Sequence, residues 1–175
     1  MGYIAALWGF VGIFLLIGSA VVRLGYIGLQ TFNYPLEWHH WLAMAFSIVF
    51  MGFAEGYRGF QKAWAPRVAA RIHYLSKHTT PVRLVLAPLF CMGFFTIERR
   101  RMLVTYCLTF GIILMVLLVH KLEQPWRGVV DLGVITGLIW GLTALLIFTV
   151  KAFFTTAFQH SPEIPHTVES SSYES

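Results

Sequence analysis

His39, His40 and His120 are the side chains whose type and placement come nearest to a reaction centre in this chain. Neutral imidazole is a common metal and haem ligand, and a helical bundle holds such a cofactor by presenting histidines from facing helices. His39 and His40 stand at the entrance to one apolar stretch and His120 at the exit of another, so a four-span layout puts all three at one membrane face. No fixed ligand repeat runs along a single helix, however. Trp38, Trp41 and Lys121 are close in sequence, and histidines among such neighbours settle at headgroup depth. A haem- or metal-binding redox subunit is therefore an alternative reading, and no cofactor is assigned.

Glu55 and Arg58 are the second constellation. Three residues apart, they are spaced to pair on a helix. At the end of an apolar stretch this is either a helix-end salt bridge or an intramembrane carboxylate serving a small lipid-modifying enzyme or transporter. Asp131 is expected in a first helical turn, where a carboxylate meets the positive end of the dipole. Cys91 and Cys107 are sixteen residues apart, each inside an apolar segment, and read as packing residues. The sequence has no glycine-rich phosphate loop, paired His-Glu zinc helix or nucleophile elbow. The balance leans away from an enzyme.

The elements that position these residues are membrane helices. The 175 residues are 57% hydrophobic and 12% charged, with a mean hydropathy of +0.68; soluble domains carry about 25% charged residues. The apolar residues fall in runs, and about 20 of them in a helix cross a hydrocarbon core roughly 30 Å thick. The fold expected is an all-α integral membrane protein in which residues 1–158 form one bundle. Its four spans are 2–22, 38–57, 102–120 and 129–150. Residues 159–175 are expected as a disordered polar tail. Gly52 and Gly56, and Gly133, Gly137 and Gly141, recur every fourth residue. Each series lines one helix face and admits a close neighbour, in the same chain or in another copy.

Residues 55–101 carry nine Lys or Arg and two acidic side chains, against one of each in 23–37 and two basic and one acidic in 120–128. The basic segment is therefore cytoplasmic, and with four spans both termini are cytoplasmic too. Within it, Val68, Ile72 and Leu75 form an apolar stripe and Arg67, Arg71, Tyr74 and His78 a polar one. This predicts an interfacial amphipathic helix over 66–78. Residues 84–97 form a short apolar run broken by Pro88 and Gly93, expected to be re-entrant rather than crossing, because crossing would strand Arg99, Arg100 and Arg101 on the wrong face.

Arg67, Arg71 and Arg99 to Arg101 are the candidate contacts for anionic lipid, since each basic residue near such a surface contributes about 1 kcal/mol. Basic residues set between apolar runs point to headgroups rather than nucleic acid. The function expected is a non-enzymatic subunit or scaffold of a bacterial inner membrane. It packs through the glycine face, rests on anionic lipid, and forms a homo-oligomer or part of a larger membrane complex.

Overall fold

The computed structural model describes residues 2–94 and 99–154, with the side chains of 99–101 outside the description. The expected tail and residues 95–97 of the expected re-entrant run lie outside it as well. The described residues are all-α: α1 (Gly2–Gln30), a 3-10 turn (Thr31–Asn33), α2 (Trp38–Met51), a π-helical segment (Gly52–Trp64), α3 (Ala65–Lys77), α4 (Pro81–Val85), α5 (Ala87–Met92), α6 (Arg99–Val119) and α7 (Trp126–Phe154). Among the described residues three stretches are long and apolar enough to cross a bilayer: Gly2–Asn33, Met102–Val119 and Trp126–Phe154.

α1 continues past Arg23, where the apolar run ends, to Gln30, since no proline intervenes before Pro35. Gly28 lies where an added Cβ would stand 3.0 Å from Leu132 of α7. α7 begins at Trp126, immediately after Pro125, which places Asp131 in the second turn. The dipole role expected for Asp131 is replaced by an ion pair with Arg127, four residues earlier, at 3.8 Å.

Two compact units are formed. One comprises Leu16–Trp64 and Gly111–Ala144. Its organising contact is the glycine seam of α7. A Cβ on Gly133 would collide with Ser47, one on Gly137 would lie 3.2 Å from the Glu55 Cβ, and one on Gly141 would lie 2.6 Å from Phe60 Cγ. From the other side, a Cβ on Gly52 would stand 3.6 Å from Thr136 and one on Gly56 2.9 Å from Trp140. Residue numbers rise together along both partners, so α2 with its π continuation runs parallel to α7. By the pairing of Gly28 with Leu132 and Thr31 with Gly128, α1 runs antiparallel to it.

The facing residues Ser47, Met51, Glu55 and Phe60 are spaced four, four and five apart, following the wider i→i+5 turn that begins at Gly52. α2 is 14 residues long, short of a full crossing by itself; the same helical course continues through the 13-residue π segment. Its start is fixed by a reciprocal cap. The Glu37 side chain accepts from the backbone of His40, and the Glu37 amide donates to His40 Nδ1 at 3.1 Å. The turn before α7 is latched to the end of α1: the Thr31 hydroxyl donates to Gln124 Oε1 at 3.0 Å, and Gln124 Nε2 donates to the Ile27 carbonyl.

The other unit comprises Met1–Leu15, Ala65–Phe110 and Leu145–Ser175. Its core is α3, with Ala65, Val68, Ala69, Ile72 and Leu75 all buried, packed with Ala87, Phe90 and Cys91 of α5. α3 is more enclosed than an interfacial helix lying on a bilayer. The first turns of α1 close on α5, since a Cβ at Gly9 would lie 3.0 Å from Cys91 Sγ and one at Gly12 2.5 Å from Pro88. α4 and α5 have five and six residues, each far short of the roughly 20 needed to cross. α5 ends at Gly93, whose φ of 86° is left-handed, a conformation glycine adopts without steric cost. None of Met102–Val119 in α6 is buried within the chain; apolar side chains cover its whole circumference, as suits a helix surrounded by hydrocarbon.

Candidate functional site

The candidate residues separate into a polar edge and a basic cluster, one in each unit. At the polar edge, His39 and His40 lie with ring centroids 4.0 Å apart, and the indole of Trp126 approaches both, at 5.8 Å and 5.0 Å. His40 is buried, and its Nδ1 is occupied by the helix cap. His39 Nδ1 lies 3.4 Å from Glu37 Oε2. His120 Nε2 is 3.3 Å from Arg127 Nη2, and Arg127 in turn pairs with Asp131, which is 3% exposed. The three histidines thus belong to two local networks, the cap of α2 and the start of α7. Among the described residues no group of three or more His, Cys, Asp or Glu side chains is gathered to hold a metal.

Glu55 and Arg58 do not form the expected pair: among the described residues no ion pair links them. The π segment is the reason, since three residues no longer amount to nearly one turn when the hydrogen bonds run i→i+5. Glu55 is half-buried over Gly137, with Oε2 3.3 Å from where a Cβ would be, whereas Arg58 is exposed. In this same segment Gln61 Oε1 accepts from Trp140 Nε1 at 2.7 Å. A cavity of about 320 Å³ is present in the other unit, lined by Tyr3, Leu7, Phe10, Ile72 and Phe153 among others. It is apolar, and neither Glu55 nor Arg58 reaches it.

Of the candidate lipid contacts, Arg71 is placed differently from expectation. It is 2% exposed, with its guanidinium 4.6 Å over the Phe90 ring, so it supports the core of α3 and α5 instead of reaching outward. Arg67 is half-buried and Lys77 exposed. The side chains of Arg99, Arg100 and Arg101 lie outside the description. Arg83, which sequence reasoning passed over, stands in the centre of this region. Its guanidinium lies 5.5 Å from the Phe90 ring and 5.8 Å from that of Tyr74, and Nη1 donates to the His78 carbonyl at 3.3 Å. The readable signal for it was Thr80-Pro81, a cap and first-turn proline that fold Arg83 back onto α3. Burial raises the Cys91 thiol to about 12, opposed by the nearby Arg71 charge, so Cys91 serves as an apolar packing residue.

No family model, curated protein or solved structure matches this chain. The helices and their composition define its class: a small helical membrane protein with three long candidate spans.

Proposed function

We propose that the chain is a four-pass, non-enzymatic membrane subunit or scaffold that holds a basic segment against anionic lipid on the cytoplasmic side of a bacterial inner membrane. The observation that carries this reading is the parallel register of Ser47–Phe60 along Gly133–Gly141. α6 joins α7 through only six residues, 120–125, and so leads into it from the opposite face. If α2 and its π continuation share the direction of α7, residues 38–57 act as the fourth crossing, and 2–22, 102–120 and 129–150 are the others. α3, over 66–78, and the broken segment 84–97 then share one face with the basic residues, the latter as a half-depth hairpin. Both termini, including the tail at 159–175, share that face.

The same register supports a folding role for the glycine seam. Gly133, Gly137 and Gly141 are filled by the chain's own Ser47, Glu55 and Phe60, and Gly52 and Gly56 by Thr136 and Trp140. Contact with other molecules then falls to the basic segment, through Arg67, Arg83, Lys77 and Arg99 to Arg101, and to the outward surface of α6. Anionic lipid is the partner that such a charge excess beside apolar helices suits.

Brominated-lipid quenching of the intrinsic tryptophans in reconstituted protein tests this. The expected result is a higher relative association constant for brominated phosphatidylglycerol than for brominated phosphatidylcholine, falling as salt is raised. Equal constants for the two lipids at low salt would contradict the lipid-contact reading.

A further inference from the structure

We infer that Tyr74, His78 and Arg83 form a defined site for the phosphate of an anionic phospholipid headgroup, which deepens the lipid-contact reading above and rests on it. Tyr74 and His78 are one turn apart at the end of α3, and their rings stack with centroids 4.5 Å apart at 17°. The Thr80 hydroxyl accepts from the Arg83 amide at 3.4 Å, starting α4 in the direction that brings the Arg83 guanidinium back over Tyr74 and onto the His78 carbonyl. Three donors of different kinds, a phenol, an imidazole and a guanidinium, therefore crowd one corner.

Two of these groups have unmet hydrogen-bonding capacity. Tyr74 Oη and His78 Nδ1 are shielded from water and have no hydrogen-bond partner among the described residues. A phenol in that position is costly unless an acceptor meets it, and a phosphate oxygen is such an acceptor. His78 Nδ1 serves as a second donor in the tautomer or charge state that protonates it. Arg83 supplies the charge and the planar fork suited to phosphate. The local charge balance points the same way: residues 65–94 carry Arg67, Arg71, Lys77 and Arg83 and no Asp or Glu.

The surroundings select a lipid over a free ion or an acidic soluble protein. Val82 and Val85 of α4 are 65% and 71% exposed, and Leu86 and Leu89 beside them are 38% and 43% exposed. A cationic corner flanked by four outward apolar side chains matches a ligand with an anionic head and hydrocarbon tails.

Native mass spectrometry of the full chain in detergent, titrated with phosphatidylglycerol and separately with phosphatidylcholine, tests the site. Wild-type protein is expected to bind phosphatidylglycerol with at least tenfold preference. Arg83→Gln should weaken that binding about tenfold, as loss of a charge-assisted contact does, and Tyr74→Phe about threefold. Arg23→Gln in α1, an exposed arginine outside both the corner and the basic segment, should change it less than twofold. Tyr74→Phe keeps the ring and its stacking, so it reads the hydroxyl alone even if Arg83→Gln does not fold. Displacement of phosphatidylglycerol by inorganic phosphate with equal affinity would overturn the lipid assignment in favour of a free-phosphate site. Retained preference in both Arg83→Gln and Tyr74→Phe would overturn the site while leaving general lipid contact standing. Absence of preference in the wild type would overturn both.

Discussion

Gly141→Ala is the substitution that probes the bundle most sharply. The new Cβ would stand 2.6 Å, 2.8 Å and 3.0 Å from Cγ, Cδ1 and Cδ2 of Phe60, so it meets the base of a ring rather than a flexible chain end. That ring is itself held edge-on to Trp64, with centroids 5.3 Å apart. Overpacking of this kind costs about 1–3 kcal/mol. Alanine also favours a helix over glycine by roughly 1 kcal/mol, which would mask part of the loss. Gly111→Ala in α6 removes that ambiguity, because a Cβ there meets nothing within 4 Å among the described residues. The propensity gain is common to both variants, so their difference isolates the contact. Unfolding in mixed detergent, followed by loss of helicity, should place Gly141→Ala about 1–3 kcal/mol below Gly111→Ala. Phe60→Ala should then cost less in the Gly141→Ala background than in the wild type, as coupling of touching residues requires. Equal stability of the two glycine variants would refute the seam.

Other expectations are accessible by the same unfolding assay. Gly137→Leu, which must displace Glu55 and the Met51 carbonyl at 3.5 Å, should lower stability without changing the association state in detergent; dissociation of an otherwise stable oligomer would show instead that the face binds another copy. His40→Ala removes half of the reciprocal cap and should cost about 0.5–2 kcal/mol, whereas His39→Ala, at an exposed pair, should stay within about 0.5 kcal/mol. His73 is held below the ordinary imidazole value of 6.5 by desolvation and by Lys77. Its folded state therefore binds a proton less readily than its unfolded state. The stabilisation it contributes is full above pH 6.5 and is lost as pH falls through that value toward the depressed one. His73→Phe should flatten that part of the stability–pH curve, and an unchanged curve would contradict the assignment.

Much of the architecture was legible because bilayer physics writes it in composition. Apolar length marks α1, α6 and α7, and four-residue spacing marks the glycines of α7 and of the π segment that lie against each other's side chains. What escaped reading depended on helix geometry or on distant contacts. The pairing of Glu55 with Arg58 presumed an α-helical turn, and no composition rule signals that Gly52–Trp64 adopts a wider one. Arg71 shares the polar stripe of α3, but Phe90, nineteen residues later, covers it. Asp131 moved from the first turn to the second because Trp126 and Arg127 precede it inside the helix. Its partner four residues away was open to sequence reasoning, which favoured the helix dipole.

The central claim is that residues 38–57 cross the membrane and place the basic segment opposite the ends of α1 and α6. Single cysteines at Asn33, Lys77 and Lys121, in a background with Cys91 and Cys107 replaced by alanine, test it by labelling with a membrane-impermeant maleimide. Four crossings predict that positions 33 and 121 label from one side and position 77 only from the other. Labelling of 33 and 77 from the same side, with 121 opposite, would mean three crossings and would contradict the account.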